Sequence, residues 1–305
     1  QVAPGSTRHH AGALHAPADG YAEPQKAAPA IANAARRGGA KVLTHCAVRG
    51  LDLAAGRLAG VVTEKGRIAC SAVVLAGGAW SRLFASTFGL DLPQLKVLSS
   101  VLRTDPIAGG PTAALWESHF GLRKRLDGGY TVASGHSTRV DIVPDSFRFF
   151  GKFLPALGHE WRSLRLRLGP RFAEEWRWER ELGLDRETVF ERVRVLDPAP
   201  EAALTEKALA AVKAVFPALQ GATVAQHWAG LIDVTPDAVP VISPVDSLPS
   251  AFIATGFSGH GFGIGPGAGR LVAELVAGDK PVVDPTPFRL SRFFDGSKIV
   301  VEAGF

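Results

Sequence analysis

The stretch from Trp228 to Arg270 (WAGLIDVTPDAVPVISPVDSLPSAFIATGFSGHGFGIGPGAGR) constrains the fold more than any other part of the chain. A strand-like apolar run, Ala251 to Thr255, ends at Gly256. Glycines then recur at 259, 261, 263, 265, 267 and 269, and a helical pattern is expected from about Gly267 to Ala277. Residues without Cβ let the backbone approach a large flat partner, and they leave the N–H groups of a new helix free to point at it. Linker glycines keep company with serine and other polar residues, whereas Phe257, Phe262 and Ile264 stand among these. A loose dinucleotide fingerprint, Gly263-x-Gly265-x-x-Ala268, is set aside. It begins several residues past the strand, and too little chain follows for a βαβ unit of ~30 residues.

Upstream, Glu23 to Ala40 predicts a helix, with Pro24 at its first position, Arg36 and Arg37 in the last turn and Gly38-Gly39 as the stop. A short strand is expected at Lys41 to Leu43, then hairpins broken at Ala55-Gly56 and Lys65-Gly66. Ala72 to Ala76 is uniformly apolar, the pattern of a strand buried on both faces of a parallel sheet. Gly77-Gly78 ends it, and Ser81 is expected to cap a helix reaching Phe88. The texture then changes. Residues 95–135 read as β-rich, 144–181 as mostly helical, Phe190 to Leu196 as a strand and Pro200 to Val215 as a helix. Similar ends around a different middle imply a discontinuous domain, 1–92 with 226–305, and a second domain inserted at 93–225.

With 46% hydrophobic and 21% charged residues, the 305-residue chain carries enough apolar material for a core. No apolar run reaches the ~18 residues of a membrane span. No signal-peptide pattern opens the chain, so the cytoplasm is expected. There is no Met at all, and a start at Gln1 suggests a trimmed or fragmentary product. Cys46 and Cys70 belong to no Cys/His cluster, so no metal site is expected and both read as small buried hydrophobes. The net charge of +5 is scattered, which speaks against nucleic acid. Its one concentration, His159 to Arg180, interleaves Arg with Trp and Leu, as a membrane surface or acidic partner would want. Glu160, Glu174, Glu175 and Glu179 stand at pairing distance there, and a solvated helical face is the simpler reading.

In order and spacing, several segments together resemble one family. They are DGYAEP at Asp19 to Pro24, the hairpins ending GVVTEKG, VVLAGGAWS at Val73 to Ser81, TPDAVPVI at Thr235 to Ile242, and ATGFSGHGF at Ala254 to Phe262. The family is that of FAD-dependent amine and amino-acid oxidoreductases, which includes D-amino acid oxidase, glycine oxidase, sarcosine oxidase and dimethylglycine dehydrogenase. The resemblance implies an α/β fold: a Rossmann-like FAD-binding domain with an inserted antiparallel-sheet substrate domain. It implies that Val48 meets FAD through its backbone and that Gly77, Gly78 and Trp80 line the cofactor cleft. Gly256, Ser258, Gly259, His260, Gly261 and Phe262 would wrap the flavin ring, with the following helix N-terminus at its electron-rich edge. No side chain is singled out as catalytic. His260 reads as a flavin contact before it reads as a base.

The departures from the family are equally specific. No strand–GxGxxG–helix unit occurs, so these residues alone are expected to hold FAD weakly, with a missing N-terminal segment or a partner chain completing the site. Gly230 stands where sarcosine-oxidase-like members place a flavin-tethering Cys, which implies non-covalent FAD. Ile232 and Gly259 replace the arginines of glycine-oxidase-like members, and Gly263 replaces a lysine of sarcosine-oxidase-like members. A substrate carboxylate would then need Arg103, Arg123, Arg125, Arg139 or Arg148, or a cation from another segment. The expected reaction is oxidation of a C–N bond in a small amine or amino acid by hydride transfer to flavin N5, with O2 or another acceptor taking the electrons. A non-catalytic flavoprotein subunit and a flavin-dependent domain that modifies a macromolecule are the alternatives.

Overall fold

A computed structural model describes residues 3–135, 138–160 and 164–301. Helix α1 (Pro24–Arg37) has the predicted proline start and basic last turn. Strands β1 (Val48–Ala54), β2 (Arg57–Thr63) and β3 (Gly66–Ala69) form an antiparallel meander that turns where the sequence placed its breaks. Lys41 to Leu43 is not a strand among the described residues; no described strand hydrogen-bonds to it, and an extended segment is a strand only when paired. Next come β4 (Val73–Leu75) and α2 (Ser81–Ser86). Trp80, not Ser81, occupies the cap position of α2, because a 3₁₀ turn over Gly78–Trp80 runs straight into the helix.

The middle of the chain carries β5 (Leu95–Thr104), β6 (Leu115–Trp116), β7 (Phe120–Lys124), β8 (Tyr130–Ser134) and β9 (Thr138–Ile142). Helices α3 (Pro144–Arg148) and α4 (Phe150–Glu160) follow, then β10 (Leu164–Leu168), α5 (Arg171–Arg180), α6 (Val189–Arg192) and α7 (Ala202–Val215). The mostly helical reading of 144–181 holds in α3, α4 and α5 with one exception, and a second expectation fails. The helical reading of 144–181 passes over β10, whose Leu-Arg-Leu-Arg-Leu alternation is a period of two, and residues 161–163 of that stretch lie outside the described residues. The strand expected from Phe190 is instead α6, opened by Thr188 with Glu191 three residues on, whose carboxylate accepts the Thr188 N–H. The chain closes with β11 (Val224–Val234), β12 (Val241–Pro244), β13 (Ala251–Thr255) and α8 (Gly261–Ala277).

The chain packs as two compact units. The first comprises residues 1–42, 98–138 and 197–230. In it β8 pairs antiparallel with β5 and β7, and β7 with β6. Helix α7 lies on β7 and β8 and buries Ala208, Leu209 and Val212 against Leu102, Phe120 and Val132. The second unit comprises 43–97, 139–196 and 231–305. It holds the meander and a three-stranded sheet in the order β12-β13-β4. In that sheet β13 and β4 run parallel, Ala251 opposite Val73 and Ile253 opposite Leu75. The parallel pairing was expected; burial of β4 on both faces was not found, because among the described residues nothing covers the face that carries Val74, which stays exposed. Helix α8 packs on β12 and β13 through Ala268 and Leu271. Cys46 and Cys70 are unpaired and only half-buried. Among the described residues no helix is long and apolar enough to cross a membrane.

Candidate functional site

Parallel strands of an α/β sheet present ligands at their carboxyl ends. Here β4 runs out into Gly77-Gly78 and β13 into Gly256, so two glycine turns leave neighbouring strands on the same side of one sheet. Thr255, wholly buried, ties the turns together: its hydroxyl lies 3.2 Å from the Gly78 carbonyl. Gly256 adopts φ +75°, and a Cβ there would collide with the methyl group of Thr235. Gly78 is also left-handed, with open space where a Cβ would stand. Conformation and close approach together demand glycine at 256; at 78 it is conformation alone.

The helix after this loop begins six residues earlier than its pattern suggested, at Gly261 rather than about Gly267. Gly263, Gly265, Gly267 and Gly269 therefore lie inside α8, each with open space where a Cβ would stand. His260 is the N-cap residue and makes no side-chain cap, so among the described residues no cap takes the first N–H groups of this 17-residue helix. Phe262 and Ile264 stand exposed beside this bare backbone.

Other expected site residues take more varied places. Gly259 has φ +84°, and a Cβ there would touch the Ile232 side chain at 3.8 Å. Ser258 is fully buried, and its hydroxyl takes the Thr235 N–H at 3.2 Å, so it braces the loop from within. Trp80 packs on Trp178 and Phe190, with ring centroids 5.3 and 5.5 Å away. Val48 opens β1 and leans on the apolar cluster that also takes Val73 and Leu75.

Sequence reasoning missed the residue that organises the loop. Asp233 lies near the end of β11, and its Oδ2 accepts the Gly256 N–H at 2.7 Å and the Gln94 amide at 3.1 Å, with the Thr255 hydroxyl also at 3.1 Å. Its backbone carbonyl accepts the Ser258 N–H at 2.9 Å. Burial pushes the Asp233 carboxyl above its ordinary value, and the Gly256 and Thr255 bonds pull the other way. A lone Asp inside the apolar run Gly-Leu-Ile-Asp-Val was the available signal. The TPD motif has a separate role: Asp237 accepts a two-pronged bond from buried Arg292 at 2.8 and 3.1 Å.

The candidate carboxylate-binding arginines also sort themselves. Arg103 and Arg125 face Asp127 at 3.7 and 3.0 Å. Arg139 faces Asp141 at 3.4 Å, and Arg148 lies between Asp145 and Glu179 at 3.7 and 3.5 Å. Arg123 bonds to the Ala22 carbonyl and the Thr131 hydroxyl, both at 3.3 Å, and lies 5.7 Å from the Tyr21 ring.

A family model described as "DAO: FAD dependent oxidoreductase" matches residues 1–275. A glycine oxidase of Pseudomonas putida is 26% identical over 245 residues, covering 80% of this chain and 52% of its own. A D-amino acid dehydrogenase of Sinorhizobium medicae is 30% identical over 283 residues, covering 92% of this chain and 55% of its own. The chain thus spans about half the length of these curated relatives. The solved L-amino acid deaminase of Proteus myxofaciens, in complex with anthranilate, superposes with a TM-score of 0.82 at 36% identity, over 87% of this chain and 59% of that one.

Proposed function

The chain belongs to the family of FAD-dependent oxidoreductases, and from that premise we propose that it oxidises the C–N bond of an amine or amino acid with non-covalently held FAD. One observation carries the reading. Two glycine turns at the carboxyl ends of parallel β4 and β13 lie beside an uncapped, glycine-rich helix N-terminus. This suits a flat, anionic, dinucleotide-sized group. Gly77, Gly78, Gly256, Gly259, Gly261 and Phe262 would hold FAD, with His260 beside them, Ser258 bracing the loop from beneath, Val48 near the adenine end and Trp80 as a wall. When bound, FAD supplies the acceptor for the two electrons and hydrogen that leave the substrate carbon. The protein's own work is to orient that carbon and exclude water. Residues 1–92 with 226–305 would form the cofactor domain and 93–225 the substrate domain.

The substrate reading follows from charge. A buried carboxylate needs a cationic partner. Ile232, Gly259 and Gly263 supply none. Small zwitterions such as glycine and sarcosine are therefore poor substrates in this reading. The test is anaerobic bleaching of the FAD-loaded chain by a panel of amines and amino acids. Bleaching by a larger amine or amino acid, with kcat/KM for glycine and sarcosine at least about tenfold lower, fits the reading. No bleaching by any amine or amino acid refutes it, and rapid turnover of glycine refutes the substrate argument.

A further inference from the structure

Beside β11 lies an apolar cavity of about 210 Å³. Its floor comes from β5, β9 and β10 and its cover from α3 and α4, through side chains such as Val97, Val140, Phe150, Leu157 and Leu166. Among the described residues, Ser146 contributes the one hydroxyl of the lining and no charged side chain takes part.

The strand face that walls this cavity also reaches the glycine loop. Successive side chains of a strand point to opposite faces. On β11, Val234 lines the cavity and Ile232 packs against the same apolar cluster, while Asp233 between them turns the other way and binds the Gly256 N–H. Ile232 continues outward to Gly259, where a Cβ would stand 3.8 Å from its Cδ1. One strand thus anchors the cofactor loop on one face and forms a continuous apolar wall from that loop to the cavity on the other.

We infer that this cavity receives the apolar side chain of the substrate, so that the preferred substrates are amino acids or amines bearing an aromatic ring or a branched aliphatic group. The inference rests on the function proposed above and narrows its substrate class. A carboxylate or ammonium entering the cavity would find no partner, at a large desolvation cost. A hydrocarbon group meets no such cost, and an apolar protein cavity of ~150 Å³ already admits benzene. The volume here takes a six-membered ring and excludes nothing smaller, so small side chains are accepted weakly because they leave the space unfilled. The isoleucine at 232 then has a positive role as the threshold between loop and cavity, where a guanidinium would bar an apolar group.

The experiment uses the FAD-loaded chain and two cavity-filling variants, Leu166→Trp at the exposed rim and Leu157→Trp on α4. Initial rates are compared for phenylalanine, leucine, alanine and glutamate, and binding of benzyl alcohol is measured by calorimetry as a readout independent of turnover. The expected result is kcat/KM for phenylalanine or leucine at least about tenfold above alanine. Each variant, with melting temperature retained, should lower the phenylalanine-to-alanine ratio of kcat/KM about tenfold and abolish benzyl alcohol binding. Equal turnover of all four substrates, or variants that alter phenylalanine and alanine alike, overturns the inference while leaving the oxidoreductase reading intact. Benzyl alcohol displaced by lipid vesicles or by self-association would assign the cavity to a membrane or a second copy, and also overturns it. An FAD-loaded chain reduced by no amine or amino acid defeats the underlying reading, a result that cannot be confused with the other two.

Discussion

Asp233 and Glu64 are both carboxylates held by hydrogen bonds, yet their surroundings move them in opposite directions. Asp233 is buried, and loss of solvation outweighs the Gly256 and Thr255 bonds, so its carboxyl sits above the ordinary 3.8. A raised folded value means the native state favours the protonated form, so the Asp233 contribution is greatest below pH 3.8 and declines as pH rises through the raised value. Replacement by Asn keeps an acceptor for Gly256 N–H and should remove that decline, read as a flatter urea midpoint against pH. Replacement by Ala strands the Gly256 and Gln94 donors and should cost about 3 kcal/mol. Equal stability of the Ala and Asn variants would mean that Asp233 does not hold the loop. Glu64 is lowered to about 2, first by the two-pronged Arg194 bond and then by the Ala47 N–H. Its contribution is therefore complete above the ordinary 4.5 and is lost as pH falls through about 2. Glu64→Gln should flatten acid unfolding across that window, and an unchanged acid profile would show that the pair contributes nothing. The Asp233 signal was present in the sequence as one charge inside an apolar strand. Its bonding was not, because Gln94 and Gly256 lie far from it along the chain.

Helix α8 is built against its own propensity. Glycines at 263, 265, 267 and 269, with Pro266 among them, each disfavour a helix relative to alanine. Open space at each shows that nothing in the described chain requires the missing Cβ. Gly263 with Gly267 and Gly265 with Gly269 line two different sides of α8, and bare backbone kept at that cost fits the proposal that something outside these residues approaches the Gly265 and Gly269 side. Gly265→Ala and Gly269→Ala should each raise stability by roughly 0.5–1 kcal/mol. FAD retention, measured by equilibrium dialysis, should fall in the same variants. Raised stability with unchanged retention would show that the cofactor does not use this face. The misread elements have equally physical causes. In β10 the alternation of Leu and Arg was outweighed by helical patterns on either side, and in α6 the Thr188–Glu191 box was overlooked beside β-branched residues. The start of α8 was misplaced because a propensity argument puts glycine before a helix, and here packing on β12 and β13 extends the helix into the glycines.

For the molecule as a whole, the mode of cofactor attachment is the most direct prediction. Gly230 offers no nucleophile where some relatives in the resembling family tether flavin, so acid precipitation of the FAD-loaded chain should leave all the flavin in the supernatant. Flavin in the pellet would reveal a covalent anchor elsewhere. The family and the α/β class were legible in the sequence because they depend on local order: an apolar run meeting glycines, hairpin breaks at Ala55-Gly56 and Lys65-Gly66, and a proline-started, glycine-stopped α1. These are decided by backbone conformation and side-chain period, which neighbouring residues control. Tertiary structure alone decided that Thr255 joins the two glycine turns, that Ser258 turns inward, and that Asp127, Asp141, Asp145 and Glu179 hold Arg103, Arg125, Arg139 and Arg148. It alone set an apolar cavity on one face of β11 and a carboxylate on the other. Those pairings join residues far apart in the chain, and their energies come from burial and partner geometry, which no local pattern of residues contains.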